Sequence, residues 1–343
     1  MRGIVFLGDR NLELQSFDDP APGPGDVVLE IKASGMCGSD LHFYRAADGP
    51  ATLGLVVDGP RIGGHEPCGI VAAVGPGVEL AIGDRVMNHH YSGCGSCIDC
   101  RAGWQQMCGD GFSVYGATKN GAHAPYMAAK ADTMVALPEE LSFAAGAAIS
   151  CGTGSAFSAL ARIGLTSRDT IAVFGMGPVG LSVALFAHHM GARVIAVDLS
   201  NERLALAQQM GAHEVVDGAA TDAVEAVMEL TGGRGAEKTL DCTGAASARA
   251  QAVRSTRTWG TCCFVGEGGT VELNVTPDML RRQLTLIGSW TFSSIGQAEC
   301  ARYVADRGID LEQLFTHRFV LDQAHEAYEL FDRQTTGKGV FEF

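Results

Sequence analysis

Four cysteines in one glycine-rich loop are the strongest chemical signal in the sequence. Cys94, Cys97, Cys100 and Cys108 form a C-x2-C-x2-C-x7-C run inside SGCGSCIDCRAGWQQMCGDG. Four thiolates from one loop can surround Zn²⁺ tetrahedrally and leave no open position for substrate, so the run favours a structural zinc site. All-cysteine coordination also suits an iron–sulfur cluster. Four free cysteines are disfavoured, because free cysteine prefers burial and the neighbours here are Gly, Ser, Asp and Arg.

Other residues of metal-binding type lie in three further segments. They are Cys37, Ser39, Asp40 and His42 in the first, His65 and Glu66 in the second, and Cys151 in the third. Each alone is a weak signal, but the set is a candidate catalytic metal site. The remaining cysteines are assigned to packing: Cys68, Cys242, Cys262, Cys263 and Cys300.

A glycine motif predicts a dinucleotide site. Residues Thr170–Phe174 form an apolar run typical of a buried strand, and an apolar helical stretch follows the motif. Glycines at such a turn let the backbone approach a pyrophosphate, whose charge the helix N-terminus favours. The motif residues are Gly175, Gly177, Pro178, Val179 and Gly180.

The next predicted strand indicates which dinucleotide is bound. It ends in Asp198, 23 residues after Gly175. A carboxylate there can accept hydrogen bonds from both ribose hydroxyls but would repel a 2′-phosphate, so NAD is favoured. Arg203 could help to bind a phosphate, and we discount that role while Asp198 is present.

The chain changes character between two halves. Up to about Lys130 it is rich in Gly and Pro with short alternating segments, which indicates a β-rich, barrel-like domain. From Ser142, Ala-rich helical stretches alternate with the runs TIAVFG, RVIAVD, KTLDCTG, CCFVG and LTLIGSW, which predicts βαβ units and a parallel sheet. Helices are predicted at Arg203–Met210 and Asp222–Leu230, and a β-like GVFEF ends the chain.

The bulk composition fits a folded protein of two domains. The chain has 343 residues, of which 46% are hydrophobic and 19% charged. A formal charge of −14 disfavours binding to nucleic acid or to an anionic membrane surface. We find no run of eighteen apolar residues and no signal peptide, so we expect a cytoplasmic protein without a membrane segment. Eleven cysteines without a secretion signal favour metal binding over a disulfide framework.

Together these motifs resemble the zinc-containing alcohol and polyol dehydrogenases of the medium-chain dehydrogenase/reductase superfamily. The segments GMCGSDLH, GGHEPCGIVAAVG and IGDRV, the cysteine loop and the nucleotide motif occur in the family's order over essentially the whole chain. The resemblance implies an α/β protein with a GroES-like β-barrel catalytic domain and a Rossmann doubly wound parallel sheet. We expect the first at residues 1–148 and 295–343, with a zinc lobe at about 90–111, and the second at 149–294.

The same resemblance implies a ligand set. Cys37, His65 and Cys151 would hold a catalytic zinc, and Glu66 would be an occasional ligand. Asp40 would fix the tautomer and orientation of the ligating histidine. Polyol dehydrogenases often carry glutamate where this chain has Cys151, so that cysteine favours a simple alcohol dehydrogenase.

Further roles and partners follow from the resemblance. Ser39 would bind the substrate oxygen and His42 would pass its proton to solvent. Residues 241–244, Val265 and Gly266 would lie along the nicotinamide half of the cleft, although the residues alone fit ordinary strand ends of a parallel sheet equally well. We expect two zinc ions per chain, one catalytic and one structural, bound NAD, a small-molecule alcohol substrate and a homodimer or homotetramer.

The predicted reaction is hydride transfer to NAD from the zinc-bound alkoxide of a primary or secondary alcohol, polyols and other hydroxy compounds included. The alternatives are a non-catalytic NAD- and zinc-binding protein and a zinc-free quinone or enoyl reductase on the same fold. The segment 47–60 is longer than the matching segment usual in the family, and we expect it to form a wall of the substrate pocket. The other pocket candidates are His42, Phe43, Tyr44, His90, Tyr91, Phe112, Trp290 and Phe292.

Overall fold

A computed structural model describes residues 1–47 and 59–343. These residues divide into two compact units. The first comprises Met1–Gly154, Phe292–Gln334 and Lys338–Phe343, and the second comprises Ser155–Thr291 and Thr335–Gly337. Domain boundaries after residues 148 and 294 stay a prediction. The stretch 47–60, expected to wall the pocket, falls mostly outside the described residues.

Strands and helices are numbered here in chain order. The strands are β1 Arg2–Gly8, β2 Asn11–Ser16, β3 Asp26–Gly35, β4 Pro67–Val74, β5 Arg85–Asn88, β6 Tyr91–Ser92, β7 Ser113–Val114, β8 Tyr126–Lys130, β9 Met134–Ala136, β10 Thr170–Phe174, β11 Arg193–Asp198, β12 Glu214–Asp217, β13 Ala236–Asp241, β14 Thr256–Phe264, β15 Thr285–Gly288, β16 Phe315–Phe319 and β17 Lys338–Glu342. The α-helices are α1 Gly38–Arg45, α2 Ile98–Arg101, α3 Phe143–Ile149, α4 Gly152–Arg162, α5 Pro178–His189, α6 Asn201–Gln209, α7 Ala223–Leu230, α8 Ala246–Ser255, α9 Val275–Asp278, α10 Ser294–Arg307 and α11 Ala324–Asp332.

The first unit is organised around β3. In the described residues this strand belongs to a sheet of order β16-β17-β3-β4-β5-β9, and β8 also pairs with β3. Its sequence DVVLEIKASG carries Val, Leu and Ile, which suit a pleated buried surface, and Val27, Leu29 and Ile31 are fully buried. The strand ends two residues before Cys37, so the sheet holds the backbone of that cysteine in a fixed position.

The second unit is a parallel sheet of order β12-β11-β10-β13-β14-β15, flanked by helices. Because successive strands run outwards from β10 and then return to β13, the strand order reverses at the carboxyl end of β10, where ligands bind in such sheets. The doubly wound prediction is confirmed. The sequence did not predict β12, an edge strand of four residues with only one fully buried, because it lacks a continuous apolar run.

Two predicted helices of this unit exist with slightly shifted starts. Helix α6 begins after Ser200, whose hydroxyl accepts the Arg203 amide N–H, and α7 begins after Asp222, whose carboxylate caps it. By length and apolar content, no helix in the described ranges could cross a membrane alone. The bent pair α3 and α4 reaches those limits only when the two are taken together.

Candidate active site

Three side chains from distant parts of the first unit converge on one buried point. Cys37 immediately precedes α1, His65 immediately precedes the segment leading into β4, and Cys151 lies between α3 and α4. The two Sγ atoms are 3.8 Å apart, and one ligand atom from each of the three residues lies within 4.8 Å of the others. All three residues are buried. The structure thus brings together the three residues that the sequence proposed as a ligand set.

The spacing of these atoms fits a metal ion. Two sulfurs at about 2.3 Å from one Zn²⁺ with a tetrahedral angle between them are separated by about 3.8 Å. The observed Sγ–Sγ distance of 3.8 Å equals that separation and is far too long for a disulfide. Three protein ligands leave a fourth tetrahedral position for a substrate oxygen.

Asp40 forms hydrogen bonds with two of the three candidate ligand residues. Its Oδ1 lies 2.9 Å from Nδ1 of His65, and its Oδ2 accepts the backbone N–H of Cys37 at 2.9 Å. Because Nδ1 carries the proton toward this carboxylate, Nε2 of His65 is left as the bare nitrogen that can bind a metal.

The local electrostatics favour a thiolate beside a cation. A hydrogen bond from Cys151 lowers the pKa of Cys37 well below its usual range, against burial and with help from the charge of His65. Burial would lower the pKa of His65, yet the negative charges of Asp40 and Cys37 raise it well above its usual value. A divalent cation bound here would satisfy the same negative charges.

The cysteine loop forms a second convergent cluster. Cys94, Cys97, Cys100 and Cys108 place their Sγ atoms within 4.8 Å of one another. Backbone N–H groups donate to three of these sulfurs: from Cys97 to Cys94 at 3.3 Å, from Cys100 to Cys97 at 3.4 Å and from Cys94 to Cys108 at 3.4 Å. Hydrogen bonds from Ser96 lower the pKa of Cys94 to about 6. Such a closed set of four sulfurs suits a structural zinc.

The nucleotide motif has the local geometry that its glycines predict. Gly175 follows β10 with φ of 92°, a region that favours glycine. A Cβ on Gly180 would lie 1.8 Å from the Gly175 carbonyl oxygen, so only glycine lets α5 approach the turn this closely. Gly177 is the N-cap of α5, Pro178 is its first residue and Val179 its second, and nothing lies within 4 Å of a Cβ built on Gly177.

Asp198 lies at the end of β11 beside this turn. Its carboxylate accepts hydrogen bonds from the backbone N–H groups of Met176, Leu199 and Ser200. These bonds fix the carboxylate at the carboxyl edge of the sheet. Arg203 is 8% exposed and its Nε–H donates to the Thr336 carbonyl oxygen at 3.3 Å.

The carboxyl ends of β13 and β14 are hydrogen-bonded to each other. The Val265 N–H donates to the Asp241 carbonyl oxygen at 2.9 Å. The buried Asp241 carboxylate accepts from the Thr243 N–H at 2.9 Å and from the Arg249 Nε–H at 3.3 Å. The Asp241 side chain therefore orders the loop after β13.

Comparison with known proteins agrees with both units. The alcohol dehydrogenase GroES-like domain matches residues 23–139, and the zinc-binding dehydrogenase domain matches residues 178–306. An Escherichia coli (strain K12) protein, the uncharacterized zinc-type alcohol dehydrogenase-like protein YphC, is 38% identical over 100% of this chain and 99% of its own length. The chain belongs to the zinc-type alcohol dehydrogenase family.

Other members of this zinc-type alcohol dehydrogenase family are similar over nearly the whole chain. The sorbitol dehydrogenase of Bacillus subtilis (strain 168) is 30% identical over 96% of this chain and 93% of its own. Among solved structures, the alcohol dehydrogenase TADH from Thermus sp. ATN1 superposes with a TM-score of 0.90 at 27% identity, covering 100% of this chain and 99% of that one. The predicted GroES-like and Rossmann architecture is confirmed.

In this zinc-type dehydrogenase, Glu66 has a partner that the sequence did not predict. Its fully buried carboxylate forms an ion pair with the ammonium group of Lys338, which is 1% exposed and also donates to the Met36 carbonyl oxygen at 3.2 Å. Burial raises the pKa of Glu66 to about 7, while Lys338 opposes the rise. No local sequence motif includes Lys338. It reaches the site because β17, the strand that begins with it, pairs with β3.

The histidine and aromatic candidates of the zinc-type dehydrogenase divide into two groups. Near the metal site, the His90 ring is 5.2 Å from the His65 ring, its Nδ1 lies 2.8 Å from the Ser150 carbonyl oxygen, and Tyr91 packs on it at 4.3 Å. Phe292 is buried 6.2 Å from the His90 ring.

The expectation that Phe43 and Tyr44 line the pocket is wrong. Both pack in the hydrophobic core of the first unit, because they share the inward face of α1 with Leu41. His42, on the opposite face of α1, is exposed, and the Ser39 Oγ is 3.5 Å from the Cys37 Sγ. Phe112 is 42% exposed and packs on Tyr91, and Trp290 of the second unit is half-buried with a hydrogen bond to Glu267.

Proposed function

We propose that this chain is an NAD-linked, zinc-dependent alcohol dehydrogenase that oxidises a primary or secondary hydroxyl group to a carbonyl. The convergence of the Cys37, His65 and Cys151 ligand atoms within 4.8 Å carries this proposal. A zinc site that only stabilises the fold has four protein ligands, whereas a catalytic site has three and keeps one position open for substrate. A buried set of three ligands therefore favours a catalytic site. The separate cysteine loop supplies the closed site.

Two zinc ions would be held by different residues. Cys37, His65 and Cys151 would hold the catalytic ion, and the four loop cysteines the structural one. When bound, the catalytic zinc supplies a Lewis acid that makes a substrate hydroxyl easier to ionise, and NAD supplies the hydride acceptor. Glu66 stays paired with Lys338 in this arrangement.

Two residues of α1 support a route for the released proton. Ser39 is half-buried and its hydroxyl lies 3.5 Å from the Cys37 sulfur, so its oxygen can accept a hydrogen bond from a hydroxyl group bound beside that sulfur. His42 is exposed to solvent one helical turn further along α1. We assign Ser39 to the substrate oxygen and His42 to the exit.

The cofactor assignment rests on the turn after β10 and on Asp198. The open space at Gly177 lets a pyrophosphate approach the N-terminus of α5. The fixed Asp198 carboxylate suits a ribose with two free hydroxyls and repels a 2′-phosphate. NAD is therefore the proposed cofactor rather than NADP.

The surroundings of the metal site support a substrate with an apolar body and additional polar groups. His90 and Tyr91 present polar atoms, and Phe292 adds an apolar wall. Burial lowers the pKa of His90 well below its usual value, so the ring is neutral and can hydrogen-bond a hydroxyl without carrying charge.

The test is turnover by the purified protein. Alcohols, polyols, hydroxy acids and amino alcohols are assayed for NADH formation by absorbance, with and without a chelator, and metal content is counted. We expect two zincs per chain, chelator-sensitive activity on at least one class, and near-complete loss in Cys37→Ala. The matched control is Cys300→Ala, which removes a buried cysteine that belongs to neither cluster.

The alternatives have separate outcomes in this experiment. Zinc without turnover on any class would favour a non-catalytic NAD- and zinc-binding protein. Turnover of quinones or enoyl substrates without zinc would favour a reductase on the same fold. Full activity in Cys37→Ala would contradict the proposed metal site.

A further inference from the structure

A buried ion pair connects the two loops that follow β13 and β14 in the second unit. Arg249, in the first turn of α8, donates from Nε to the Asp241 Oδ2 at 3.3 Å and from Nη2 to the Gly266 carbonyl oxygen at 2.6 Å. The side chains of Arg249 and Asp241 are 10% and 0% exposed. A cation near the N-terminus of a helix opposes the helix dipole, so helix stability alone does not account for an arginine at this position.

Asp241 is the last residue of β13, and it orders the start of both loops. Its Oδ1 accepts the Thr243 N–H at 2.9 Å and the Thr243 hydroxyl at 2.6 Å, and its Oδ2 accepts the Gly244 N–H at 3.2 Å. Its carbonyl oxygen accepts the N–H groups of Val265 and Gly266 at 2.9 and 3.0 Å. The first loop is therefore bound to the side chain of Asp241 and the second loop to its backbone.

The backbones of the two loops approach so closely that only glycine fits at the junction. A Cβ on Gly266 would lie 2.2 Å from the Gly244 nitrogen, and a Cβ on Gly269 would lie 2.3 Å from the Gly244 carbonyl oxygen. The Arg249 guanidinium lies at the same junction, with its Cζ 5.4 Å from the centre of the Phe264 ring. Glycines permit this approach but add no side-chain bond, and the guanidinium supplies one.

The first loop also contacts the nucleotide turn after β10. The Cys242 N–H donates to the Phe174 carbonyl oxygen at 2.8 Å, and a Cβ on Gly175 would lie 2.4 Å from the Thr243 methyl carbon. Strands β10 and β13 are neighbours where the strand order reverses, and ligands bind at the carboxyl ends of strands there. The first loop therefore forms one side of that crevice.

The two halves of a dinucleotide then belong to opposite sides of β10. Asp198, proposed to bind the adenosine ribose, ends β11 on one side, whereas the pair of Arg249 and Asp241 joins the ends of β13 and β14 on the other. A dinucleotide whose pyrophosphate lies at the Gly175 turn extends across this edge of the sheet. Its nicotinamide half would lie against the loops that Arg249 connects.

We propose that Arg249 is a positioning residue for the cofactor. By bonding Asp241 and Gly266 at once, it holds the loops after β13 and β14 in the arrangement that receives the nicotinamide half of NAD. This inference rests on the proposed function, because it assumes that a dinucleotide binds at the Gly175 turn. Arg249 touches neither substrate nor cofactor in this role. It keeps the binding arrangement populated before the cofactor arrives, which removes an ordering cost from binding.

The test compares NADH with AMP, which carries only the adenosine half of the cofactor, in calorimetric binding to the purified zinc-loaded protein. In Arg249→Met we expect NADH to bind about tenfold more weakly, the loss that follows if only about a tenth of the molecules keep the loop arrangement. AMP should keep its wild-type affinity, because the Asp198 carboxylate is fixed by bonds on the other side of β10. Without ligand, hydrogen exchange at the amides of Val265 and Gly266 should become faster.

Two further variants keep the test decisive. Arg249→Met combined with Asp241→Asn leaves no unpaired buried charge, so it should fold even if Arg249→Met alone does not. It should show the same selective loss of NADH affinity. Arg254→Met is the matched control, because it removes an exposed arginine of the same helix whose ion pair is with Asp278. It should keep wild-type affinity for both ligands.

The outcomes separate this inference from the proposed function. Wild-type NADH affinity in both Arg249 variants, or unchanged hydrogen exchange, would overturn the positioning role. An equal loss of NADH and AMP affinity would also overturn it, since that result indicates general damage to the second unit. So would an equal loss in Arg254→Met, which indicates an effect of surface charge. A wild-type protein that binds neither NADH nor AMP would overturn the proposed function as well.

Discussion

Lys338 and Glu66 form an ion pair that is almost completely removed from solvent, at 1% and 0% exposure. The pair lies beside Cys37, whose pKa the charge of Lys338 helps to lower. Gly35 makes room for it, since a Cβ there would lie 1.9 Å from the Glu66 Oε2. The pairing of β17 with β3 therefore fixes the backbone that leads to Cys37 and also places the charge of Lys338 beside that candidate ligand.

Removing one partner of this pair should be costly. In Lys338→Met the buried Glu66 loses the cation that opposes the rise of its pKa, so its carboxyl group must either stay charged without a partner or take up a proton. We expect a loss of about 3–5 kcal/mol in the free energy of unfolding. The measurement is urea denaturation at neutral pH. Glu66→Gln combined with Lys338→Met should recover about half of the loss or more, because no unpaired charge remains.

The matched control is an exposed ion pair. Arg302→Gln breaks a contact with Asp306 in which the side chains are 73% and 56% exposed, and it should change stability by less than about 0.5 kcal/mol. A similar small change in Lys338→Met would mean that the buried pair does not contribute as described.

Two buried histidines predict acid sensitivity. Burial lowers the pKa of His89 and of His123 to about 4. The unfolded chain binds a proton at each near pH 6.5, so their contribution is complete above that pH and is lost as pH falls towards 4. Together they should steepen the loss of stability by up to about 2.7 kcal/mol per pH unit in this window.

Urea midpoints at pH 7, 6 and 5 measure this slope. His89→Gln should flatten it relative to the wild type, because one of the buried histidines with a lowered pKa is gone. His188→Gln changes an exposed histidine and should leave the slope as it is. A slope that is the same in all three proteins would refute the explanation.

Asp198 should control the choice between NAD and NADP. Asp198→Gly removes the carboxylate that would repel a 2′-phosphate, and we expect the ratio of kcat/KM for NAD over NADP to fall about tenfold or more. Zinc content should not change. The control is Asp217→Gly, which removes the carboxylate at the equivalent position of the neighbouring strand. If both variants shift the ratio equally, general surface charge rather than ribose recognition is responsible.

Two glycines of the nucleotide turn should respond differently to alanine. Gly177→Ala puts a methyl group into open space at ordinary backbone angles, so stability should change by less than about 0.5 kcal/mol. NAD affinity, measured by calorimetry, should nevertheless fall about tenfold or more, because the methyl occupies the approach of the pyrophosphate. Gly180→Ala would place its Cβ 1.8 Å from a backbone oxygen and should fail to fold. Unchanged NAD affinity in Gly177→Ala would count against this turn as the binding site.

The sequence by itself determined the ligand types and the nucleotide turn. Cys37, His65, the cysteine loop and the Gly175 turn are short local patterns whose spacing already limits the chemistry that they can perform. The strands of the parallel sheet were predictable for the same reason, as continuous apolar runs, except for the half-exposed edge strand β12.

Only the tertiary structure decided which distant residues support that chemistry. Lys338 reaches Glu66 through the pairing of β17 with β3, although no sequence motif connects the two residues. It also placed Phe43 and Tyr44 in the core rather than at the pocket. The physical reason is that a local pattern records which groups are present and how they are spaced along the chain. The burial of a charge and the partner of a hydroxyl depend on the packing of elements far apart in sequence.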